Sequence, residues 1–406
     1  MTDTPRHVIV GAGHAGGRAA ESMRALGFGG EILLIGDEPH LPYERPPLSK
    51  ELLQGKPEMF APIRPAGFWA EKDIDCRLGV RATAIDPAAK TVTLGDGTAE
   101  PFDKLLLTPG GAVRRLDVPG ACLANVFYLR TLDDSCAIDA CLTEGAKVVV
   151  IGGGFIGLET AASARLRGCD VTVIELADRL MARGVLPEIA GTFLDLHRAQ
   201  GVDVRLETGV QALEGDGAVR HVVTSGGDRL PADIVVIGIG IVPDTALADA
   251  AGLAVDDGIM VDAFCRTSHP DIYAAGDATS HYSPVYGRHI RLESWQNAQN
   301  QAIAAARVMC GEETAYAEVP WMWSDQFDAR LEVAGLPEAW DDIVVRGDPA
   351  SGAYMLFQLA GGTPVGAMSV SLPRDMRFAR RLLQAGKAVD AAALADTAVS
   401  MRELAR

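Results

Sequence analysis

Six glycines and two acids in this chain fall where they could cradle two pyrophosphates. Gly11, Gly13 and Gly16 stand in GAGHAG directly after the apolar run HVIV, and Gly152, Gly154 and Gly157 stand in GGGFIG directly after KVVVI. Each set has the same physical use. The first glycine makes a tight turn, the second lets backbone close on a pyrophosphate, and the third lets a helix pack on a strand, while the helix's first N–H groups supply positive potential. Roughly twenty residues on, Asp37 ends EILLIGD and Glu175 ends VTVIE, where a carboxylate can accept hydrogen bonds from a ribose. A carboxylate at Glu175 bonds a free 2′-hydroxyl and repels a 2′-phosphate, so the second cradle favours NADH over NADPH. Arg179 and Arg183 follow closely; they either weaken that preference, meet the pyrophosphate or stay solvated.

To position these groups the chain must run strand, glycine turn, helix, strand, acid, and it does so twice. The units HVIV to EILLIGD and KVVVI to VTVIE are an internal repeat of one supersecondary unit, so the chain holds two Rossmann-type units and binds two dinucleotides. After the first unit, TVTLGDGTAEPFDKLLL reads as a hairpin around Asp96-Gly97 that ends in a buried strand, and HVVTSGGDRLPADIVVIGIG closes the second unit similarly. DIYAAGDATS is one more short strand with a turn, and SWQNAQNQAIAAARVMC a long helix. Beyond Gly311 the character changes: WMWSDQFDARLEVAG, DIVVRGD and YMLFQLAGGTPVGAMSV read as antiparallel strands and RDMRFARRLLQAG as a helix. The fold class is α/β, two Rossmann-like dinucleotide-binding domains followed by a C-terminal α+β domain.

Composition narrows the function classes. A chain of 406 residues with 48% hydrophobic residues has material for more than one core. Its net charge of −17 repels nucleic acid and anionic lipid alike. The start MTDTPRHVIV enters a strand at once, leaving no room for a secretory leader, and no apolar run approaches the roughly 18 residues of a membrane span. The expected location is the cytoplasm. Seven cysteines, at 76, 122, 136, 141, 169, 265 and 310, form no CxxC and no Cys/His ligand set. No metal site is expected, and the thiols read as mostly reduced and mostly buried.

Taken with PYERPPLSK, YLRTL, GGGFIGLE, GIGIVP, IYAAGD, ESWQNAQNQA and PWMWSDQF, which follow in order over essentially the whole length, these motifs make the chain resemble a family. It is similar to the FAD-dependent, NADH-dependent ferredoxin reductases of oxygenase and cytochrome P450 systems, the putidaredoxin reductase type, within the glutathione-reductase-like flavoproteins. The resemblance implies FAD contacts at Ala15, Asp37, Lys50, Ala82, Arg130, Asp277 and Trp295, beside Gly11, Gly13 and Gly16. It adds Ile156 of GGGFIG and Gly240 of GIGIVP to the cofactor-binding set, and places Lys50 and Glu159 at the flavin's reactive edge, with Trp323 close by. The alternative for Glu159 is an acid that merely stabilises a helix N-terminus, and for Trp323 a core aromatic. Because Asp277 and Asp37 would serve one FAD, the FAD domain is expected to be interrupted: 1–113 and 243–318, with the NADH domain 114–242 inserted and the C-terminal domain at 319–406. One departure is KLLLTPGG, where Pro109 replaces the usual Thr and removes a hydroxyl and a backbone donor.

The segment Pro42 to Lys50 also says where electrons go. Disulfide reductases and peroxidases of the superfamily carry a redox cysteine there, whereas this chain reads PYERPPLSK, with Pro46 and Pro47 as an inert, stiff wall. Cys136 and Cys141 have the spacing of a redox pair but precede the second unit, on a helical segment that points them apart. No internal thiol then takes the electrons, and the implied acceptor is a [2Fe–2S] ferredoxin. Arg374, Arg377 and Arg381, at i, i+3 and i+7, make a basic helix face that could steer an acidic ferredoxin, or a solvated surface. The alternatives are a rubredoxin reductase, which shares these motifs, or an NADH oxidase using oxygen directly, although the missing cysteine argues against the thiol-based oxidases. A non-catalytic flavoprotein like apoptosis-inducing factor would call for a targeting segment and a basic surface. A monomer or weak dimer is expected. NADH should reduce the flavin with a kcat/KM on the order of tenfold or more above that of NADPH, and Glu175→Ala should shrink the gap; steady-state kinetics with both nucleotides checks this.

Overall fold

The central strands of both nucleotide units are apolar at successive positions because both of their faces are covered. The computed structural model describes residues 4–405. Its backbone contacts divide it into two compact units, each with its own sheets. One comprises the described residues up to Arg45, Ala61–Ala112 and Ile241–Pro320; the other comprises Pro46–Phe60, Val113–Gly240 and Trp321 onward. The segment around Lys50 thus belongs with the second Rossmann unit and the C-terminal sheet.

In the first unit five parallel strands run in the order Ile272–Ala274, Lys104–Leu107, Arg6–Val10, Glu31–Gly36, Ile74–Leu78. Ile9, Leu34 and Leu106 face one side and pack on Ala19, Ala20 and Met23 of the helix His14–Ala25 and on Ala302, Ala305 and Ala306 of the helix Trp295–Met309. The alanines let these two helices lie close together. Val8, Val10, Leu33, Ile35, Leu105 and Leu107 face the other side, against Ala82, Ile85, Val92 and Leu94 of an antiparallel three-stranded sheet. Each such fully buried aliphatic side chain is worth about 1.5–3 kcal/mol. The hairpin expected at Asp96-Gly97 joins Thr91–Leu94 to Ala99–Pro101, with Gly97 at φ 85° and the Asp96 carboxylate accepting from the Thr98 N–H.

The second unit repeats the plan: five parallel strands in the order Asp203–Arg205, Asp170–Ile174, Lys147–Ile151, Ile234–Ile237, Val126–Tyr128. One face is covered by the antiparallel strands Val210–Asp216, Ala218–Thr224 and Arg229–Pro231. The other face shares a core with the C-terminal sheet, where Leu331, Tyr354, Leu356, Met368 and Val370 join Val148, Val150, Leu158 and Phe193. That sheet is antiparallel, in the order Trp321–Gln326, Ala329–Ala334, Thr363–Val370, Ala353–Ala360, Asp342–Asp348, and the helix Pro373–Ala385 packs on it. On its edge strand Arg346 is 4% exposed, and its guanidinium donates to the carbonyls of Leu394 (3.1 Å), Asp396 (2.7 Å) and Val399 (2.8 Å).

The cysteines depart from expectation. All seven are free, but only Cys169 and Cys265 are buried; Cys122 and Cys136 are exposed and the other three half-buried. Cys122 lies in a connecting loop and Cys136 on the outer side of the short helix Leu132–Asp139, which buries Ser135 and Ile138 instead. Among the described residues no group of His, Cys, Asp and Glu side chains could hold a metal ion, and no helix is long and apolar enough to cross a membrane.

Three histidines of the first unit are buried. His7 stacks on Phe28 with ring centroids 4.0 Å apart, His281 tilts against Tyr316 at 5.3 Å, and His14 lies 5.3 Å from Trp295. Burial is the main cause that lowers His7 and His281 to about 4 and His14 to about 3; Lys104 adds to it at His7, Arg18 and Arg45 at His14, and His289 at His281. An unfolded imidazole titrates near 6.5, so between that value and about 4 the unfolded chain binds more protons. The stability these neutral rings allow is therefore complete above about pH 6.5 and is lost as pH falls toward 4. Each contributes up to about 1.4 kcal/mol per pH unit. Thermal unfolding should show Tm falling through this window, and His281→Gln should flatten the slope; an unchanged slope would remove His281 from the account.

Candidate functional site

The two glycine turns are built alike. Gly11 has φ 111°, and a Cβ there would sit 2.1 Å from the Thr108 carbonyl oxygen; at Gly152, with φ 109°, it would sit 2.4 Å from that of Gly238. The third glycine of each set carries the helix against the strand, since a Cβ on Gly16 would lie 1.9 Å from Gly11 O and one on Gly157 2.1 Å from Gly152 O. The middle glycines differ: Gly154 faces open space, and the nearest atom to a Cβ on Gly13 is an Arg45 guanidinium nitrogen at 3.8 Å. Gly13 and Gly154 cap their helices without a side-chain bond, and neither first turn carries an acid. Both helix ends thus present N–H groups to an anion, which suits a pyrophosphate.

Around the first cradle the candidate residues converge. The AAGD turn abuts the glycine-loop helix, since a Cβ on Gly276 would be 3.3 Å from that of Ala15. Gln301 pins this turn by accepting from the Gly276 N–H (2.8 Å) and the Thr279 hydroxyl (3.0 Å). The half-buried Asp277 exerts its charge on Arg45, which pairs with Glu38 at 2.6 Å. Asp37 ends its strand exposed, and the backbone leading to the buried Ala82 lies alongside, Val80 N–H donating to Gly36 O at 2.9 Å. His14, within GAGHAG itself, is 7% exposed, and neither ring nitrogen has a partner among the described residues. A buried, neutral imidazole of this kind at the phosphate loop fits a polar ligand seated there. Pro109 lacks an N–H, but the adjacent Thr108 supplies a hydroxyl that donates to Gly11 O at 2.8 Å.

At the second cradle the Glu175 carboxylate is already oriented. It accepts from the N–H of Gly153 at 2.6 Å and of Ala177 at 2.8 Å, so it stands against the glycine loop. Ile156, on the first turn of the helix Phe155–Leu166, is 47% exposed, and an Arg183 guanidinium nitrogen comes within 3.4 Å of a Cβ placed on Gly240. Arg179 turns away to the Ala182 carbonyl. Arg130 precedes the short helix Leu132–Asp139, its backbone N–H held by Asp134 at 3.0 Å.

The most concentrated chemistry of the second unit lies around Glu159. It stands in the second turn of its helix, 3% exposed and turned inward, so it is not an acid at a helix N-terminus. Lys50 Nζ donates to its Oε1 at 3.5 Å, Ser324 Oγ donates to Oε1 at 2.7 Å, and Ser49 Oγ donates to Oε2 at 2.5 Å. Burial pushes the Glu159 carboxyl up, and Lys50, Ser49 and Ser324 pull it back toward the ionised form. Lys50, 6% exposed, also lies 4.0 Å from Asp325 and over the half-buried Trp323 ring at 5.6 Å. The segment carrying it forms a 3-10 turn, Pro46–Ser49, fastened by Ser135 Oγ to Leu48 O (2.8 Å) and Ser163 Oγ to Ser49 O (2.9 Å). Sequence reading named Lys50, Glu159 and Trp323 but missed His14, Arg45, Ser49 and Ser324. All four lie inside quoted motifs, but the partner that Ser49 and Ser324 share, Glu159, is remote from both in sequence.

Comparison with known proteins places this geometry. The family model for pyridine nucleotide-disulphide oxidoreductases matches residues 5–302, and the reductase C-terminal model matches residues 321–405. The chain belongs to the pyridine nucleotide-disulphide oxidoreductases. It is 47% identical to the ferredoxin--NAD(+) reductase component of the anthranilate 1,2-dioxygenase system of Burkholderia cepacia, over 97% of this chain and 98% of that one. Among solved structures, the ferredoxin reductase for the CYP199A2 system from Rhodopseudomonas palustris is 40% identical with a TM-score of 0.95, covering 99% of this chain and 100% of that one. The covalent putidaredoxin reductase–putidaredoxin complex gives 38% identity, a TM-score of 0.95 and 98% coverage of each chain. This member of the family is an oxidoreductase of the ferredoxin reductase kind, with FAD and NADH as its cofactors.

Breaking the buried ion pair from one side leaves an uncompensated charge, which costs about 3–5 kcal/mol. Lys50→Met should therefore lower stability by about 3 kcal/mol, and adding Glu159→Gln should recover part of that loss. Urea unfolding of both single variants and the double variant checks this; purely additive losses would show that the pair is not coupled.

Proposed function

We propose that the chain takes reducing equivalents from NADH and delivers them to a [2Fe–2S] ferredoxin that serves a cytochrome P450 or Rieske-type oxygenase. The carrying observation is the thiol-free segment Pro42 to Lys50, which presents a buried lysine paired with Glu159 where disulfide-forming relatives use a cysteine. Bound FAD supplies the conversion between two-electron and one-electron transfer. Gly11, Gly13, Ala15, Gly16, Asp37, Ala82, Asp277 and Trp295 hold it, with His14 as a further contact, and Arg130 adds a cation. Lys50, Glu159 and Trp323 serve its reactive edge. Gly152, Gly154, Ile156, Gly157, Glu175 and Gly240 bind NADH. Work in the cytoplasm is consistent with seven free thiols.

Ferredoxin docks on the helix Pro373–Ala385. Arg374, Arg377 and Arg381 are exposed there, and none forms an ion pair among the described residues. The neighbouring Arg380 lies over Trp321 at 4.1 Å, and Trp321 stacks on Trp323 with centroids 5.6 Å apart, so the basic face and the aromatic pair share one patch. Changing Arg374, Arg377 and Arg381 together to Glu should slow ferredoxin association and flatten its salt dependence, while flavin reduction by NADH stays unchanged. Single changes, each worth roughly 1 kcal/mol or less, should be nearly silent. Stopped-flow mixing at low ionic strength reads both steps. Parent-like reduction of ferredoxin by the triple variant would move docking elsewhere, and turnover with rubredoxin but no ferredoxin would change the assigned acceptor.

A further inference from the structure

Three buried residues next to Glu159 have no assigned part in electron transfer: Ser324 and Gln326 on the strand Trp321–Gln326, and His197 on the helix Pro187–Ala199. All three are completely buried. They form one hydrogen-bonded line, from His197 Nε2 to Gln326 Oε1 at 2.9 Å, from Gln326 Nε2 to Ser324 Oγ at 3.1 Å, and from Ser324 Oγ to Glu159 Oε1 at 2.7 Å.

The direction of the line follows from its ends. The Gln326 amide nitrogen is engaged by Ser324 Oγ and faces Met181 Sδ at 3.9 Å, so its carbonyl oxygen meets the imidazole and needs a donor. His197 must then carry its proton on Nε2. Its Nδ1 is buried without a partner among the described residues, and in this tautomer Nδ1 is only an unused acceptor. Every hydrogen bond thus donates toward Glu159 and ends on a carboxylate. Protonating Glu159 on Oε1 would reverse the line: Glu159 would donate to Ser324, Ser324 to a flipped Gln326 carbonyl, and the amide N–H to His197 Nε2. The imidazole proton would then sit on Nδ1, a buried donor with no acceptor, which is much less favourable than an unused acceptor.

We propose that Ser324, Gln326 and His197 are positioning residues, a one-way chain of donors that keeps Oε1 of Glu159 unprotonated beside Lys50 and ties the His197 tautomer to the protonation of that oxygen. Lys50, at 3.5 Å, and Asp325, which acts against ionisation, are the charged groups bearing on Glu159; Ser49 donates to its other oxygen. On His197 the surroundings act through burial and the Gln326 bond, with the Phe327 ring packed at 5.1 Å. Only the kinetic consequence depends on Glu159 serving the flavin; the tautomer does not.

The test has two arms on the FAD-loaded protein. With 15N-labelled histidine, the His197 signals, assigned through the nearby Phe327 ring, should show a neutral ring protonated on Nε2 at neutral and mildly alkaline pH. In Gln326→Leu that tautomer should lose its preference. A His197 proton on Nδ1 in the parent would overturn the proposal. In stopped-flow reduction by NADH, the acid limb of the pH profile should move up by about one pH unit in Ser324→Ala and stay in place in Ser324→Thr, which keeps the hydroxyl. An unmoved limb in folded Ser324→Ala would also overturn it. If Glu159→Gln leaves the parent profile intact, the placement of Glu159 at the flavin fails, and the nitrogen signals alone then decide the relay.

Discussion

One buried carboxyl group, that of Glu159, organises much of the second unit. Taking such a group out of water costs several kcal/mol unless donors surround it. Here the donors come from chain segments far apart, Ser49 and Lys50 before the helix and Ser324 well after it. The requirement explains why the short stretch Pro46–Phe60 keeps company with the second Rossmann unit and not with the strands that precede it. It also gives the C-terminal sheet a fixed place, because its first strand must bring Ser324 to the same oxygen that Lys50 reaches.

What could be read from the sequence was what is local. A glycine turn, the helix behind it and the acid ending the next strand lie within about thirty residues, and both copies formed as the spacing required. Arg374, Arg377 and Arg381 lie on one exposed helix face for the same reason, since helical periodicity is a short-range property. The strand WMWSDQ went the other way. Alternation would bury its tryptophans and expose its serine and glutamine, yet Trp321 and Trp323 are half-buried while Ser324 and Gln326 are completely buried. The inversion has a cause that no local pattern carries: a remote carboxylate and a remote imidazole offer the polar side chains partners. Cysteine burial misled for a related reason, because a thiol's usual preference does not decide which face of a short helix the fold covers.

The two dinucleotide cradles share a backbone plan and differ in how their acids are held. Glu175 is fastened by two backbone N–H groups before any ribose arrives, whereas Asp37 stands exposed and its neighbour Glu38 is taken by Arg45 and by the Tyr43 hydroxyl at 2.5 Å. A ligand that comes and goes in every cycle gains from a partner already ordered, because less freedom is lost each time it binds. An acid fixed in this way suits a nucleotide that exchanges in every cycle.

Arg346 carries a consequence for how the protein is made. Its buried guanidinium is satisfied by the carbonyls of Leu394, Asp396 and Val399, some fifty residues later in the chain. Until that later segment has left the ribosome, the arginine has only the Asp375 carboxylate at 4.0 Å and water to meet, and its strand Asp342–Asp348, at the sheet's edge, lacks the carbonyls that complete its surroundings. The order of synthesis thus delays completion of the C-terminal sheet, and with it the core that this sheet shares with the second Rossmann unit.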